Sequence, residues 1–394
     1  MGLDTSSHPF DRDLLKTRIV PFLLAGEPID DLIDRAVAVE LASYRVNQWS
    51  LAVTDFHNAL FNDQYEIAKT TKSAPPAERK PGFFARLFGG KGAGGVREEP
   101  PRIVPGLPGF DVDLHVWGRP FFVDGDAPEE IARGVDRYMA AAEGGNDAVD
   151  AVVKDMLASL ERKRQVRPEG VADAVWETVA RAPSLLEVEP KGGPPSVSVE
   201  AAKANARRRV GIWREVMAAR DPNAEISFGS DGDDDEPMTV ADAQMSLPHD
   251  IVGFMSSLSH GWMSRGYGFA SQLIERVGAK SDVFETPEEP FSELVALAPA
   301  MREAFFDTIP GNYDLGGYVR PERVGELIEV LDAHREAMIR VFEDDPRREI
   351  APYHLEQMSA DWRKLRETAA YAQVKGWGYL EGAEIYSGFL GQMN

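Results

Sequence analysis

The strongest constraint on the fold of this chain is a long helical pattern close to its beginning. From Asp30 to about Lys69 the sequence reads as one long helix, or as two helices in tandem. Large apolar residues recur there at i, i+4, i+7 and i+11, namely Trp49, Val53, Phe56 and Leu60. This spacing places them on one face of a helix, so it predicts a long amphipathic helix that packs through that face.

The helical pattern stops at residues 72–102, where proline lies at both ends and glycine clusters in the middle. This composition is typical of a flexible linker or a disordered loop. The segment holds seven Lys or Arg against three Glu, whereas the whole chain carries a formal charge of −22. We therefore expect a basic linker between an N-terminal helical region at 1–71 and a body at 103–394. The body either stands alone or forms one domain with residues 1–71.

A strand pattern follows the linker. At residues 110–124, Phe110, Val112 and Leu114 alternate with polar residues, which predicts a small antiparallel sheet that the C-terminal tail could join. Helices are predicted at about 128–142, 146–163, 168–181, 321–343 and 353–372. The expected fold class is therefore α+β and predominantly α-helical. Long packed helices would carry the small sheet, and the basic Gly/Pro-rich insertion would be disordered.

Charge and cysteine content exclude several classes of function. A chain with a formal charge of −22 repels phosphates, so no nucleic-acid partner is expected. The chain has no cysteine, which excludes zinc ribbons, thiol nucleophiles and iron–sulfur clusters and fits a cytoplasmic location. We expect neither a secretory signal nor a transmembrane segment, because no apolar run has the required length.

The polar face of the predicted strand is the best chemical candidate. Residues two apart on a strand point to the same side about 7 Å from each other. Asp111, Asp113 and His115 could thus hold Mn²⁺, Zn²⁺ or Fe²⁺, or supply an acid–base pair. A metal-dependent hydrolase built on them would need a further ligand such as His57 or His260. The alternative interpretation is the solvent-facing side of an antiparallel strand, which has the same alternation.

The common signatures of metal and enzyme sites are incomplete or missing. The acidic loop at 229–237 has Asp at positions 1, 3 and 5 of a calcium loop, but Glu236 stands where glycine is needed. The zinc-hydrolase pattern His-Glu-x-x-His, the P-loop and the dinucleotide fingerprint do not occur. Ser264 does not lie in a Gly-x-Ser-x-Gly elbow. These observations favour binding over catalysis.

Two segments are predicted to bind partners. The loop at 309–324 would display residues just before a helix start, the candidates being Asn312, Tyr313, Asp314 and Tyr318. The alternative is a structured connection whose tyrosines cover the core. In the basic linker a brief helix would gather four apolar residues on one side, namely Phe83, Phe84, Leu87 and Phe88. Such a segment suits a partner's groove, weak membrane-surface contact through 81–91, or this chain's own acidic body.

These observations together predict a protein-interaction module of adaptor or inhibitor type. Its acidic surface would meet a basic protein partner, since opposite charges favour association. No cofactor is expected. The alternative function is the metal-dependent hydrolase centred on Asp111, Asp113 and His115, with Mn, Zn or Fe as its divalent metal.

Overall fold

The computed structural model describes residues 4–72, 125–167, 173–226, 238–259, 262–265, 268–279, 282–309, 314–341, 354–383 and 385. Helices dominate and carry a small sheet, so the predicted α+β class with long packed helices is confirmed. The strand expected at 110–124 lies outside the described residues, and so does the acidic loop at 229–237. The sheet that is described uses other parts of the chain.

The helices up to residue 218 are α1 (Arg12–Leu14), α2 (Val20–Ala25), α3 (Asp30–Lys72), α4 (Pro128–Glu143), α5 (Asn146–Arg164), α6 (Asp173–Arg181) and α7 (Val199–Ala218). Those that follow are α8 (Val240–Ser259), α9 (Ala270–Arg276), α10 (Ser292–Leu297), α11 (Val324–Ala333), α12 (Arg335–Arg340) and α13 (His354–Lys375). None of the helices in the described ranges is both long and apolar enough to cross a membrane.

The strands are β1 (Asp4–Phe10), β2 (Glu225–Ile226), β3 (Met238–Thr239), β4 (Trp262–Arg265), β5 (Phe305–Phe306), β6 (Leu315–Val319) and β7 (Gly378–Ala383). Five of them form one sheet in the order β4-β1-β7-β6-β5, and β2 pairs with β3 separately. β1 is antiparallel to both β4 and β7, β6 is antiparallel to β7, and β5 is parallel to β6. The C-terminal tail thus joins the sheet next to the N-terminal strand.

The sheet lies between two layers of helices. Along β1, Ser7 contacts Thr368 of α13, whereas His8 contacts Ser256 of α8. Neighbouring residues of a strand point to opposite faces, so α13 and α8 cover opposite sides of the sheet. The α13 side shares its apolar core with α4, α5 and α11, and the α8 side with α2, α7 and α10.

The long helix α3 links these two cores. Its first part buries Ile33 and Val37 on the α8 side, and its middle part buries Trp49 and Val53 on the α13 side. The long helix predicted from Asp30 onward is present, and Trp49 and Val53 lie on its buried face as the spacing indicated. At about 1.5 Å per residue, α3 is long enough to pass from one layer to the other.

The single helix predicted from residue 321 to 343 is wrong in one respect. A 3₁₀ turn at Pro321–Arg323 is followed by α11 and α12, which are separated at His334. His334 has φ −110° and ψ 12°, which is not helical backbone. Just before this break, the Trp362 indole N–H donates 3.1 Å to the Leu331 carbonyl. A side chain that donates to a helical carbonyl in this way interrupts the backbone hydrogen bonds of the helix. The spacing of the apolar residues in the sequence does not indicate this break.

Candidate functional site

A groove of about 580 Å³ runs along α3 and is lined entirely by described residues. Its floor consists of small or aliphatic side chains of α3 and α4, namely Ala38, Leu41, Ala42 and Ala142. One wall is the turn between α4 and α5, and the other is the segment from Gly192 to Pro195 that precedes α7. The size lies within the range of about 300–1,000 Å³ that is usual for binding sites.

Glycine and proline shape both walls. α4 ends at Glu143, and Gly145 has φ 82°, a left-handed conformation that lets α5 begin at once at Asn146. On the other side, Gly192 has φ 112°, and the two prolines that follow favour extended backbone. The shape of the groove therefore depends on the glycine and proline conformations in its two walls.

Hydrogen bonds from α3 hold the segment at residues 191–195 in place. The Gly193 carbonyl accepts from the Tyr44 hydroxyl at 3.1 Å and from Gln48 Nε2 at 2.5 Å. The Lys191 N–H donates 3.0 Å to the Gln48 carbonyl, and the Lys191 ammonium pairs with Asp55. An extended Gly-Pro segment of this chain is thus docked on α3 through its main chain.

A fixed ion pair closes the polar end of the groove. Arg45 donates through Nε and Nη2 to the two oxygens of Asp150, at 2.8 and 2.7 Å. Its Nη1 donates 2.8 Å to Gln48 Oε1, and the Trp49 indole N–H donates 2.8 Å to Asp150. Burial alone would raise the pKa of Asp150, but the bonds from Arg45 and Trp49 outweigh it and lower the pKa. Both groups stay ionised and neutralise each other.

Two further carboxylates make this end negative. Asp147 and Glu189 are exposed, and both act electrostatically on Arg45. Neither forms an ion pair within the described part of the chain. Lys191 is balanced by Asp55, and Lys154 is a further cation nearby, with its ammonium 5.6 Å from the Trp49 ring centre. After Arg45 has been balanced by Asp150, two carboxylates and one lysine remain near this end, so the sum of their charges is negative.

The lining of the groove has the composition of a binding site. Its lining combines an apolar floor with charged ends, and it includes no histidine, serine or threonine. Throughout the described ranges, no three His, Asp or Glu side chains lie close enough together to hold a metal ion. An apolar cleft with a few placed polar groups is the usual form of a binding site.

A fully buried carboxylate lies elsewhere, in the sheet. Glu381 on β7 accepts from the Ser271 hydroxyl at 2.5 Å, from the Ser271 N–H at 3.1 Å and from the Tyr379 hydroxyl at 3.1 Å. Burial raises the pKa of Glu381 to about 7, and the bonds from Ser271 and Tyr379 offset only part of that rise. The group joins β7 to α9 and has no exposed surface, so we assign it a structural role.

We expect Gly317→Ala to destabilise the protein by about 2 kcal/mol or more, because two costs add. Gly317 has φ 53°, and a Cβ there would collide with the carboxylate of Glu381. Gly278→Ala is the matched control, since Gly278 has φ 70° but no atom within 4 Å of the added Cβ. Urea unfolding of both variants gives the comparison. Equal losses of free energy would show that the contact with Glu381 is unimportant.

A second buried cluster lies on the opposite face of the sheet. His8 Nδ1 is 3.0 Å from the Ser256 hydroxyl, and Nε2 is 2.8 Å from the Ser6 hydroxyl, which itself donates 2.6 Å to the Gly382 carbonyl. Burial, and then the charge of His249, lower the pKa of His8 to about 3. The imidazole therefore stays neutral, and no carboxylate bonds to it, so this is not a catalytic triad.

Most residues that the sequence analysis singled out lie outside the described residues. This holds for the strand candidates Asp111, Asp113 and His115. It also holds for the apolar residues of the linker, namely Phe83, Phe84, Leu87 and Phe88. The side chain of His57 and the whole of His260 are likewise outside. These predictions stay predictions.

The loop at 309–324 is described only in part. Asn312 and Tyr313 lie outside the described residues, and the Asp314 carbonyl accepts the Ala383 N–H at 3.0 Å. Tyr318 is fully buried on β6, with its ring centre 6.0 Å from that of Phe10. It is therefore a core residue and is not displayed at the surface, because the strand carries it into the sheet.

Comparison with known proteins gives no relative for this chain. No family model matches it, and neither a curated protein nor a solved structure is significantly similar. The function must therefore be argued from the groove. Its key residues, such as Arg45 and Asp150, were not found from the sequence. The sign of this place in the sequence is the composition of residues 189–196, which is rich in glycine and proline.

Proposed function

We propose that the protein is an interaction module of adaptor or inhibitor type, and that the groove along α3 holds a basic segment of a partner protein. The observation that carries this proposal is the pairing of an apolar floor with a negative end. Leu41 and three alanines offer a dry surface, and Asp147 and Glu189 stand beside it. Such a site suits a ligand with one apolar and one cationic part.

The charge of the whole chain supports the same choice of partner. A formal charge of −22 attracts basic proteins over a distance of about 8–10 Å at physiological salt. Long-range attraction of this kind raises the association rate, and the groove then supplies the specific contacts. An acidic partner would meet repulsion at both stages.

The surface of α3 beside the groove already docks an extended part of this chain, which forms one wall of the groove. Tyr44 and Gln48 of α3 hold the Gly193 carbonyl of that wall in the manner of a bound peptide. Main-chain recognition combined with a nearby apolar floor is a common way to bind extended segments.

The test uses two labelled twelve-residue peptides that share one phenylalanine and differ only in carrying either three arginines or three glutamates. We expect the basic peptide to bind the full chain about tenfold more tightly or better in fluorescence anisotropy, and to weaken as salt rises from low to high concentration. A variant with Phe83, Phe84, Leu87 and Phe88 replaced by Ser is measured in parallel. It removes the chain's own basic aromatic segment as a competitor.

A groove-filling variant locates the binding. Ala38→Trp puts a large ring on the floor of the groove, and we expect it to abolish binding. Ala140→Trp is the control, because Ala140 is exposed on α4 and lies about 200° around that helix from Ala142. Circular dichroism checks that both variants fold. Equal affinity for the two peptides, or equal effects of the two tryptophans, would refute the proposed function.

A further inference from the structure

One wall of the groove is a segment of chain with few packing contacts. Residues 189–196, here called the strap, lie between the 3₁₀ turn at Leu185–Glu187 and α7, and the part from Gly192 to Pro195 lines the groove. The structure describes all eight strap residues, and none of them is buried. A segment that buries no side chain can leave its place without opening a core, so it belongs to the least stable parts of a fold.

Both ends of the strap are fixed. Val188, just before it, packs against the apolar core on the α13 side, and Val197, just after it, packs against the core on the α8 side. Beyond these two residues, Leu185 and Ala202 are fully buried. Movement of the strap is therefore confined to the chain between Val188 and Val197.

Within the described ranges, the hydrogen bonds and the ion pair of the strap all go to α3. The Gly193 carbonyl accepts from the Tyr44 hydroxyl and from Gln48 Nε2, at 3.1 and 2.5 Å. The Lys191 N–H donates to the Gln48 carbonyl at 3.0 Å. The Lys191 ammonium pairs with Asp55, but both side chains are more than half exposed, so this pair contributes little. Three hydrogen bonds therefore decide whether the strap lies on α3.

The strength of this attachment can be compared with that of a whole fold. One hydrogen bond changes an equilibrium by about two- to tenfold, so the three bonds favour the attached strap by about 10- to 1,000-fold. Small domains favour the folded state with equilibrium constants of about 10³–10⁸. Release of the strap is therefore a more frequent event than unfolding.

The sequence of the strap gives it a pivot and a stiff part. Gly192 has φ 112°, and no described atom lies within 4 Å of the place where a Cβ of Gly193 would be. Backbone rotation at two successive glycines is little restricted. The rings of Pro194 and Pro195 fix φ at the next two positions, so these residues move together. Rotation at the glycines would thus carry both prolines away from the groove.

We infer that the strap is a movable wall that controls access to the floor of the groove. Gly192 and Gly193 are its hinge, and Tyr44 and Gln48 hold it closed. The inference goes beyond the proposed function, because it concerns entry to the groove and holds for any ligand that binds there.

The first measurement is hydrogen exchange of the Lys191 amide, which is bonded to α3 only while the strap is attached. The full chain is labelled with nitrogen-15 in lysine, and exchange is followed by nuclear magnetic resonance. We expect Tyr44→Phe to speed this exchange by about two- to tenfold, because it removes one of the bonds that hold the strap. We expect Gly193→Ala to slow it by about two- to fivefold. Gly193 has no positive φ, so alanine restricts the released strap more than the attached one.

The second measurement tests whether release of the strap gives access to the floor. The chain has no cysteine, so Leu41→Cys introduces a single thiol into the groove lining. We expect a maleimide that carries a bulky dye to react faster when Tyr44→Phe is added, and more slowly when Gly193→Ala is added. Because no peptide takes part, the result does not depend on the proposed partner.

Tyr371→Phe is the matched control variant. It also removes a tyrosine hydroxyl bond, in this case to Asp136, but Tyr371 lies on α13 and does not line the groove. It should change neither the exchange of the Lys191 amide nor the labelling of the introduced thiol. Equal exchange in wild type and Tyr44→Phe would overturn the inference. Faster exchange without faster labelling would overturn it too, since the strap would then move without controlling the groove.

Discussion

Replacing Glu381 by Gln is expected to remove about 3 kcal/mol of pH dependence from the free energy of unfolding. Glu381 is fully buried, and burial raises its pKa from the ordinary 4.5 to about 7. Glutamine keeps the size of the side chain and one carbonyl acceptor. Because the Ser271 and Tyr379 hydroxyls can also accept, its amide group can bond to them. The variant should therefore fold, and it cannot ionise.

The direction of the effect follows from the raised pKa. Below pH 4.5 the carboxyl is protonated in both the folded and the unfolded chain, and its contribution to stability is fully present. As the pH rises from 4.5 to 7, the unfolded chain loses this proton while the folded chain keeps it, so stability falls. Above about pH 7 the loss is complete. The stability of the Gln variant relative to wild type should rise across that window by about 3 kcal/mol.

The measurement is a set of urea unfolding curves between pH 4.5 and 8, taken for both proteins. The difference between them cancels the titration of the other acidic residues. Glu293→Gln serves as the control, because Glu293 is exposed on α10. A difference for Glu381→Gln that stays constant would mean that Glu381 titrates normally in the folded protein.

The fold could be predicted from sequence where one physical signal dominates. The helix spacing around Trp49 and Val53 identified α3, and Pro128 with two following glutamates identified the start of α4. β1 could not be predicted, because its sequence Asp-Thr-Ser-Ser-His-Pro-Phe lacks apolar alternation. It is buried on both faces through hydrogen-bonded polar residues, and such burial depends on β7 and α13, which are distant in sequence.

The groove could not be predicted for a related reason. Arg45, Gln48 and Asp150 form a site only because α3 and α5 cross there, and nothing in their sequence spacing links Arg45 to Asp150. The composition of the Gly-Pro segment before α7 indicates a loop, but it does not indicate that the loop docks on Tyr44. Chemistry that is assembled from distant parts of a chain leaves no local motif.

Replacing His8 by Gln should have the opposite effect on pH dependence, and a larger one. Burial, and then the charge of His249, lower the pKa of His8 from 6.5 to about 3. Above pH 6.5 the imidazole is neutral in both states and its contribution is fully present. As the pH falls from 6.5 towards 3, His8 becomes protonated in the unfolded chain but stays neutral in the folded chain, so the free energy of unfolding falls. Wild type should lose about 5 kcal/mol across that window relative to the Gln variant.

The check is again the difference between unfolding free energies, here from pH 7 down to 4.5, where about 1.4 kcal/mol should appear per pH unit. His334→Gln is the control, because His334 is not buried. A nitrogen-15 spectrum of the histidines gives an independent reading, since the His8 ring should remain neutral at pH 5. A protonated His8 ring at that pH would contradict the prediction.

In the wild-type protein the contributions of His8 and Glu381 to the pH dependence of the free energy of unfolding nearly cancel. Between pH 4.5 and 6.5, His8 makes stability rise with pH and Glu381 makes it fall, at nearly the same rate, so their sum is almost flat. Each single variant therefore shows the pH dependence of the free energy of unfolding that the other group causes. His8 and Glu381 lie on opposite faces of the sheet and bond to different helices, so their effects should add. The change in slope in the double variant should therefore equal the sum of the changes in the two single variants, and a departure from that sum would reveal coupling through β1 and β7.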